Sequence, residues 1–149
     1  SLEQVLMFAI GLNVTAGIGA AIFGFIDDKA GSKSTILMAL AGLIGFGAAL
    51  LLVDAIAIFI ALALCLGLFV GPAQAASRSL LARLSPAEDV TKMFGLYALT
   101  GKSISFVGPL LFASVTSAFD SQRIGMTVIL ALFILGALLL LTVRSPSPR

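Results

Sequence analysis

Histidine and tryptophan are missing from this 149-residue sequence, and cysteine occurs once, as Cys65. Without His, imidazole acid–base catalysis and most zinc sites are excluded. A single Cys excludes an internal disulfide and a Cys/His cluster, so no metal and no cofactor is expected. Charge is scarce as well. Asp, Glu, Lys and Arg make up 11% of the chain, against about 25% in an ordinary soluble domain. That is too little to coat a water-facing surface, which excludes a soluble globular domain and a disordered tail. The formal net charge is only +2. So small an excess does not make a phosphate-tracking surface, and no nucleic-acid partner is expected.

What is present is apolar. Hydrophobic residues make up 60% of the chain and the mean hydropathy is +1.17. A bilayer core of about 30 Å needs roughly 20 apolar residues per helix. Stretches that meet this lie at about 2–26, 35–53, 55–77, 92–118 and 123–143. They are too long and too continuous for the alternating strands of a barrel. The fold class expected is therefore all-α integral membrane, with five transmembrane helices and loops at 27–34 and 78–91. The first stretch is not a signal peptide, because it lacks a basic leader and runs straight into charge. The lipid bilayer is the first partner implied.

Lys and Arg orient the spans. Lys29, Lys33, Arg78, Arg83, Lys92, Arg144 and Arg149 fall on one side, and only Arg123 on the other. By the positive-inside rule the two loops and the C-terminus are expected in the cytoplasm. Small residues suggest the packing, since close helix approach in lipid uses Gly, Ala and Ser. The four-residue series Ala16–Ala20–Gly24, Ala41–Gly45–Ala49 and Ala63–Gly67–Gly71 read as seams.

Polarity divides the spans. The second and fifth have nothing more polar than Gly through their middles and can face lipid. The first carries Asn13 and Thr15, the third ends in Gly71-Pro72-Ala73-Gln74, and the fourth holds Tyr97, Thr100, Lys102, Ser103 and Ser105. Polar groups at membrane depth need partners or a wet cavity. The first, third and fourth are therefore expected to surround an interior, with the other two outside. Lys102 is the sharpest of these residues. Roughly 15 Å into its span, its ammonium costs on the order of 3 kcal/mol on insertion scales, unless it snorkels along its stem to the interface. Lys102, Tyr97, Thr100, Gln74 and Asn13 form the candidate pathway. Pro72 and Pro109 each follow Gly inside a span and are candidate hinges. Cys65 reads as a packing residue.

The loop at 27–34 has Gly31 for an awkward backbone position. Asp28 can accept from helix N-terminal amides or pair with an Arg, and Lys29 and Lys33 can anchor in anionic headgroups. A plain polar turn fits the spacing equally well. The series Gly24, Asp28, Lys29, Gly31, Lys33 resembles the loop motif that follows the second helix of each half in the major facilitator superfamily. A narrower resemblance, from GPAQAASRSLLARLSP through MFGLYALTGKSISFVGPLLF to Arg123-Ile-Gly, is to the autophagy-linked vacuolar effluxer-like branch, which includes an amino-acid exporter. The resemblance implies that the spans are helices 8–12 of a twelve-helix fold. It also implies that Asp28 locks a conformation by meeting a helix end and a basic residue, with Arg78 the first candidate and Arg83 the second. Asp27 is an extra acid in the motif.

The function expected from these residues is secondary transport of a small polar solute by alternating access, with amino acids suggested by resemblance. A start at Ser1 rather than Met suggests a piece of a longer transporter whose N-terminal half is its partner. The setting expected is a bacterial inner membrane, or a vacuolar membrane if the source is eukaryotic. The alternative is a small non-transporting subunit packed through Gly/Ala seams. An intramembrane enzyme would need a Ser–Lys pair of Lys102 with Ser103 or Ser105; Ser103, next in sequence, points about 100° away on a helix, and Ser105 has no recognisable oxyanion site. No enzyme activity is expected.

Overall fold

The computed structural model describes residues 2–144. Arg149, counted above among the cytoplasmic cations, lies outside them. The elements are α1 (Leu2–Ala30), α2 (Ser32–Leu52), α3 (Ile56–Leu84), α4 (Val90–Ile104), α5 (Val107–Phe119) and α6 (Gln122–Thr142), and no strand occurs among the described residues. The helices α1, α2, α3 and α6, and α4 with α5 taken as a single span, are each long and apolar enough to cross a bilayer. The five expected spans are therefore present, running up and down.

Their ends differ from expectation in instructive ways. The first span does not stop at 26. It continues to Ala30, so Asp27, Asp28 and Lys29 occupy a helical turn. The expected eight-residue loop shrinks to Gly31, whose φ of 84° and ψ of 154° suit glycine alone. Its N–H still bonds the Asp27 carbonyl at 3.0 Å while its own carbonyl receives the Thr35 N–H at 3.1 Å. One residue thus ends one helix and starts the next. Likewise α3 runs on to Leu84, placing Arg78 and Arg83 on helix and leaving only the turn at 85–89 before α4.

Packing centres on α3, which lies against α1 on one side and α2 on the other. α2 also packs on α6, and α6 on α5. The α1–α3 seam is built on backbone contact. Pro72 lacks the N–H that would serve the Leu68 carbonyl, and a Cβ on Gly19 would fall inside that same carbonyl. A Cβ on Gly71 would collide with the Ala16 carbonyl, and one on Gly67 with Thr15 and, at 3.1 Å, the Leu12 carbonyl. The expected Gly67–Gly71 series is used, but its counterpart on α1 is Leu12–Thr15–Ala16–Gly19. Gly24 faces open space.

The second seam is corrected too. Ala41 is exposed and Gly45 has no neighbour within 4 Å, whereas Gly42 makes room for Phe69 and Gly47 for Leu130. Phe69 meets Phe23 edge-on at 5.8 Å and stacks on Phe46 at 5.6 Å, joining α1, α3 and α2. The helix expected to lie outermost, α2, buries Ile36, Ala39, Leu43 and Leu50. Its apolar middle serves three neighbouring helices as well as lipid, because an apolar surface suits either environment. By contrast α4 and α5 bury no residue.

Corners at the two ends are tied by charge. Lys33 donates to the Leu141 and Val143 carbonyls at 3.0 and 2.6 Å. It caps the C-terminus of α6, where a cation meets the negative end of the helix dipole. At the opposite end Arg123 pairs with Asp54 and reaches the Val53 carbonyl at 3.4 Å. Asp120, in the left-handed region at φ 49°, closes α5, and the Ser121 hydroxyl accepts the Ile124 N–H to cap α6.

Candidate functional site

Two regions gather the polar residues. The first is a cavity of about 260 Å³ between the end of α1, the first turn of α2 and the second half of α3. Gly24, Asp27, Asp28, Thr35, Pro72 and Ser79 are on its wall. Helix extension to Ala30 decides which acid turns inward. Asp27 continues the stripe Ala16–Gly19–Phe23 that packs on α3, and is 8% exposed. Asp28, about 100° further round the helix, is exposed. The basic partner follows the same logic. Pro72, Ala76, Leu80 and Arg83 keep to one stripe of α3, and Arg83 approaches Asp27 with Nη2 3.8 Å from Oδ2. Arg78 points away and is exposed.

The expected contact between Asp28 and Arg78 is therefore replaced by Asp27 and Arg83. Arg83 is the second of the two basic candidates read from the sequence; continuing the Ala16–Gly19–Phe23 side of α1 in helical steps through the charged residues points to Asp27. Lys33, expected as a headgroup anchor, is engaged by α6 instead, while Lys29 is exposed with no ion-pair partner among the described residues.

The second region is the α4–α5 span. Its helix breaks at Ser105–Phe106. Pro109 sits in the first turn of α5, and its missing N–H is the one that would have bonded Ser105. Pro109 therefore acts four residues upstream, as a break rather than a kink at its own position. Lys102 lies beside that break, within about 4 Å of the middle of the 30-residue span at 1.5 Å per residue. It is exposed and has no side-chain partner among the described residues. The Ser105 hydroxyl donates to the Lys102 carbonyl at 2.8 Å.

The candidate pathway residues do not share one cavity within this chain. Asn13 donates to the Ala9 carbonyl at 2.9 Å and edges an apolar groove between α1 and α3. Tyr97 edges a different groove, formed by α2, α3 and α6. Gln74, Thr100 and Lys102 are exposed on α3 and α4.

Residues 55–147, from the α2–α3 corner through α6, match the family described as vacuole effluxer Atg22 like. The chain belongs to that family. The polar broken span, Lys102 and Arg123 of this Atg22-like chain fall inside the matched region, whereas Asp27, Gly31 and Asp54 lie before it. Over 70 residues the chain is also 34% identical to an uncharacterized MFS-type transporter, YxiO, of Bacillus subtilis strain 168. That alignment takes in 47% of this chain and 16% of the relative, so the Atg22-like chain spans far less than two thirds of the relative's length. No solved structure matches.

Proposed function

We propose that this chain is the C-terminal part of a secondary transporter that moves a small polar solute by alternating access, with amino acids the leading substrate class. Membership of the Atg22-like family supports transport, and the observation that carries the site is Lys102. It is a cation without an ion-pair partner among the described residues, near the middle of a broken span that no other described helix buries. Broken helices at mid-membrane are where transporters commonly hold substrate. Lys102, with Thr100 and Tyr97 on the same helix and Gln74 and Asn13 on α3 and α1, faces the solute route in the complete protein. The remaining helices, including the N-terminal half, supply the opposite wall. Asp27, Arg83, Asp28 and Gly31 shape the end of the bundle that gates this route. The end carrying Lys29, Lys33, Arg78, Arg83 and Arg144 is cytoplasmic, in a bacterial plasma membrane.

The test is efflux and counterflow of labelled amino acids by the full-length protein in proteoliposomes. Lys102→Gln is expected to slow transport by about tenfold or more while the protein still inserts and elutes as a single species. Undiminished flux would remove Lys102 from the route. Asp28→Asn is expected to slow transport without loss of inserted protein, and unchanged flux would take Asp28 out of the gate.

A further inference from the structure

The cavity at the end of α1 holds an unusual carboxylate. Asp27 is 8% exposed, and its Oδ1 is buried with no hydrogen-bond partner among the described residues. Its Oδ2 faces Arg83 at 3.8 Å, close enough for attraction and too far for a hydrogen bond. A buried anionic oxygen left so poorly matched is unfavourable unless something else completes it. The remaining polar side chains on the cavity wall are the Asp28 carboxylate and the Thr35 and Ser79 hydroxyls, with no nitrogen or sulfur side chain among them. The Thr35 hydroxyl donates its proton to the Gly31 carbonyl at 3.1 Å, which leaves its lone pairs to accept or to coordinate.

Polar side chains that offer only oxygen select a hard cation over a transition metal. Charge narrows the choice. The two carboxylates on the wall, Asp27 and Asp28, outnumber the one cation in contact with them, Arg83. Among the described residues no group of three or more Asp, Glu, His or Cys is placed to hold a metal ion, so the multi-carboxylate cage of a tight calcium site is not formed here. The cavity volume of about 260 Å³ leaves room for an ion that keeps some of its water. We infer that this cavity is a binding site for a hard monovalent cation of the sodium class, held by Asp27 together with Thr35, Ser79 and Asp28 and joining α1, α2 and α3. An occupied site would tighten this end of the bundle. The inference does not depend on what the protein transports.

Thermal unfolding of the purified full-length protein tests it, with sodium chloride titrated against choline chloride at constant ionic strength. Binding to the folded state raises Tm with saturation. The expected result is a saturable rise with sodium, none with choline, and loss of the rise in Asp27→Asn. Ser79→Ala, a milder change, should raise the half-saturating sodium concentration about threefold or more by removing one oxygen ligand. An equal response to choline, no response to sodium, or an undiminished response in Asp27→Asn overturns the site. Should Asp27→Asn fail to fold, an unchanged midpoint in Ser79→Ala overturns it.

Discussion

The contact between α1 and α3 and the span made of α4 and α5 are built on opposite rules. In the first, side chains are cut back to nothing: Gly19, Gly67 and Gly71 bring backbone against backbone, and the carbonyl that Pro72 leaves unserved is covered by a glycine. In the second, a proline again removes a backbone bond, yet the helices on either side of the break bury no residue. A Cβ on Gly95, Gly101 or Gly108 would meet nothing within 4 Å, and Lys102 has no ion-pair partner among the described residues. The same pair of residues, Gly followed by Pro, thus makes a sealed joint in one helix and an open one in another. Proline alone does not make a hinge; what surrounds its orphaned carbonyl decides.

Substitutions can break or sharpen this contrast. The largest effect is expected for Gly19→Leu, which drives a side chain into the Leu68 carbonyl. Overpacking costs typically about 1–3 kcal/mol even for small excesses, so a loss of several degrees in Tm or of folded protein altogether is expected in the full-length protein. A normal melting curve would mean that α1 and α3 are not in backbone contact. Next is Lys102→Leu, which should stabilise the protein by up to about 3 kcal/mol while impairing transport. A fall in Tm would indicate that Lys102 is structurally paired in the complete protein. Lys33→Met should lower stability by about 0.3–1 kcal/mol through loss of the α6 cap, read as faster amide exchange over residues 139–143. Unaltered exchange there would remove Lys33 from that role. The smallest effect belongs to Gly45→Ala on the open face of α2, within about 1 kcal/mol and on the stabilising side. A large loss would reveal a partner on that face.

Much of this architecture could be read from the residues. Long apolar runs and the clustering of Lys and Arg established the spans and which of their ends lie together, and the Gly67–Gly71 series placed the α3 side of its seam. The positive φ of Gly31 was also foreseeable. What escaped was rotation. The charged residues at 27–29 looked like loop because charge usually marks the end of a span, but the helix outlasts the apolar run. Once Asp27 is on a helix, a shift of one position separates a buried acid from an exposed one. The enclosure of α2 escaped for another reason. Leu, Ile and Ala are indifferent between lipid and a neighbouring helix, so an apolar middle carries no information about which it meets. The α1 seam was misplaced because Ala and Gly recur on several faces, and only the partner's geometry selects one.

The single-residue corner at Gly31 has a mechanical consequence. Where two rods are joined by a long tether, one can tilt while the other stays put. Here the join has no slack, and Lys33, two positions on, is fastened to the far end of α6. A displacement of the tip of α1 is thus passed to the first turn of α2 with little slack, and the Lys33 contact extends that coupling to the end of α6.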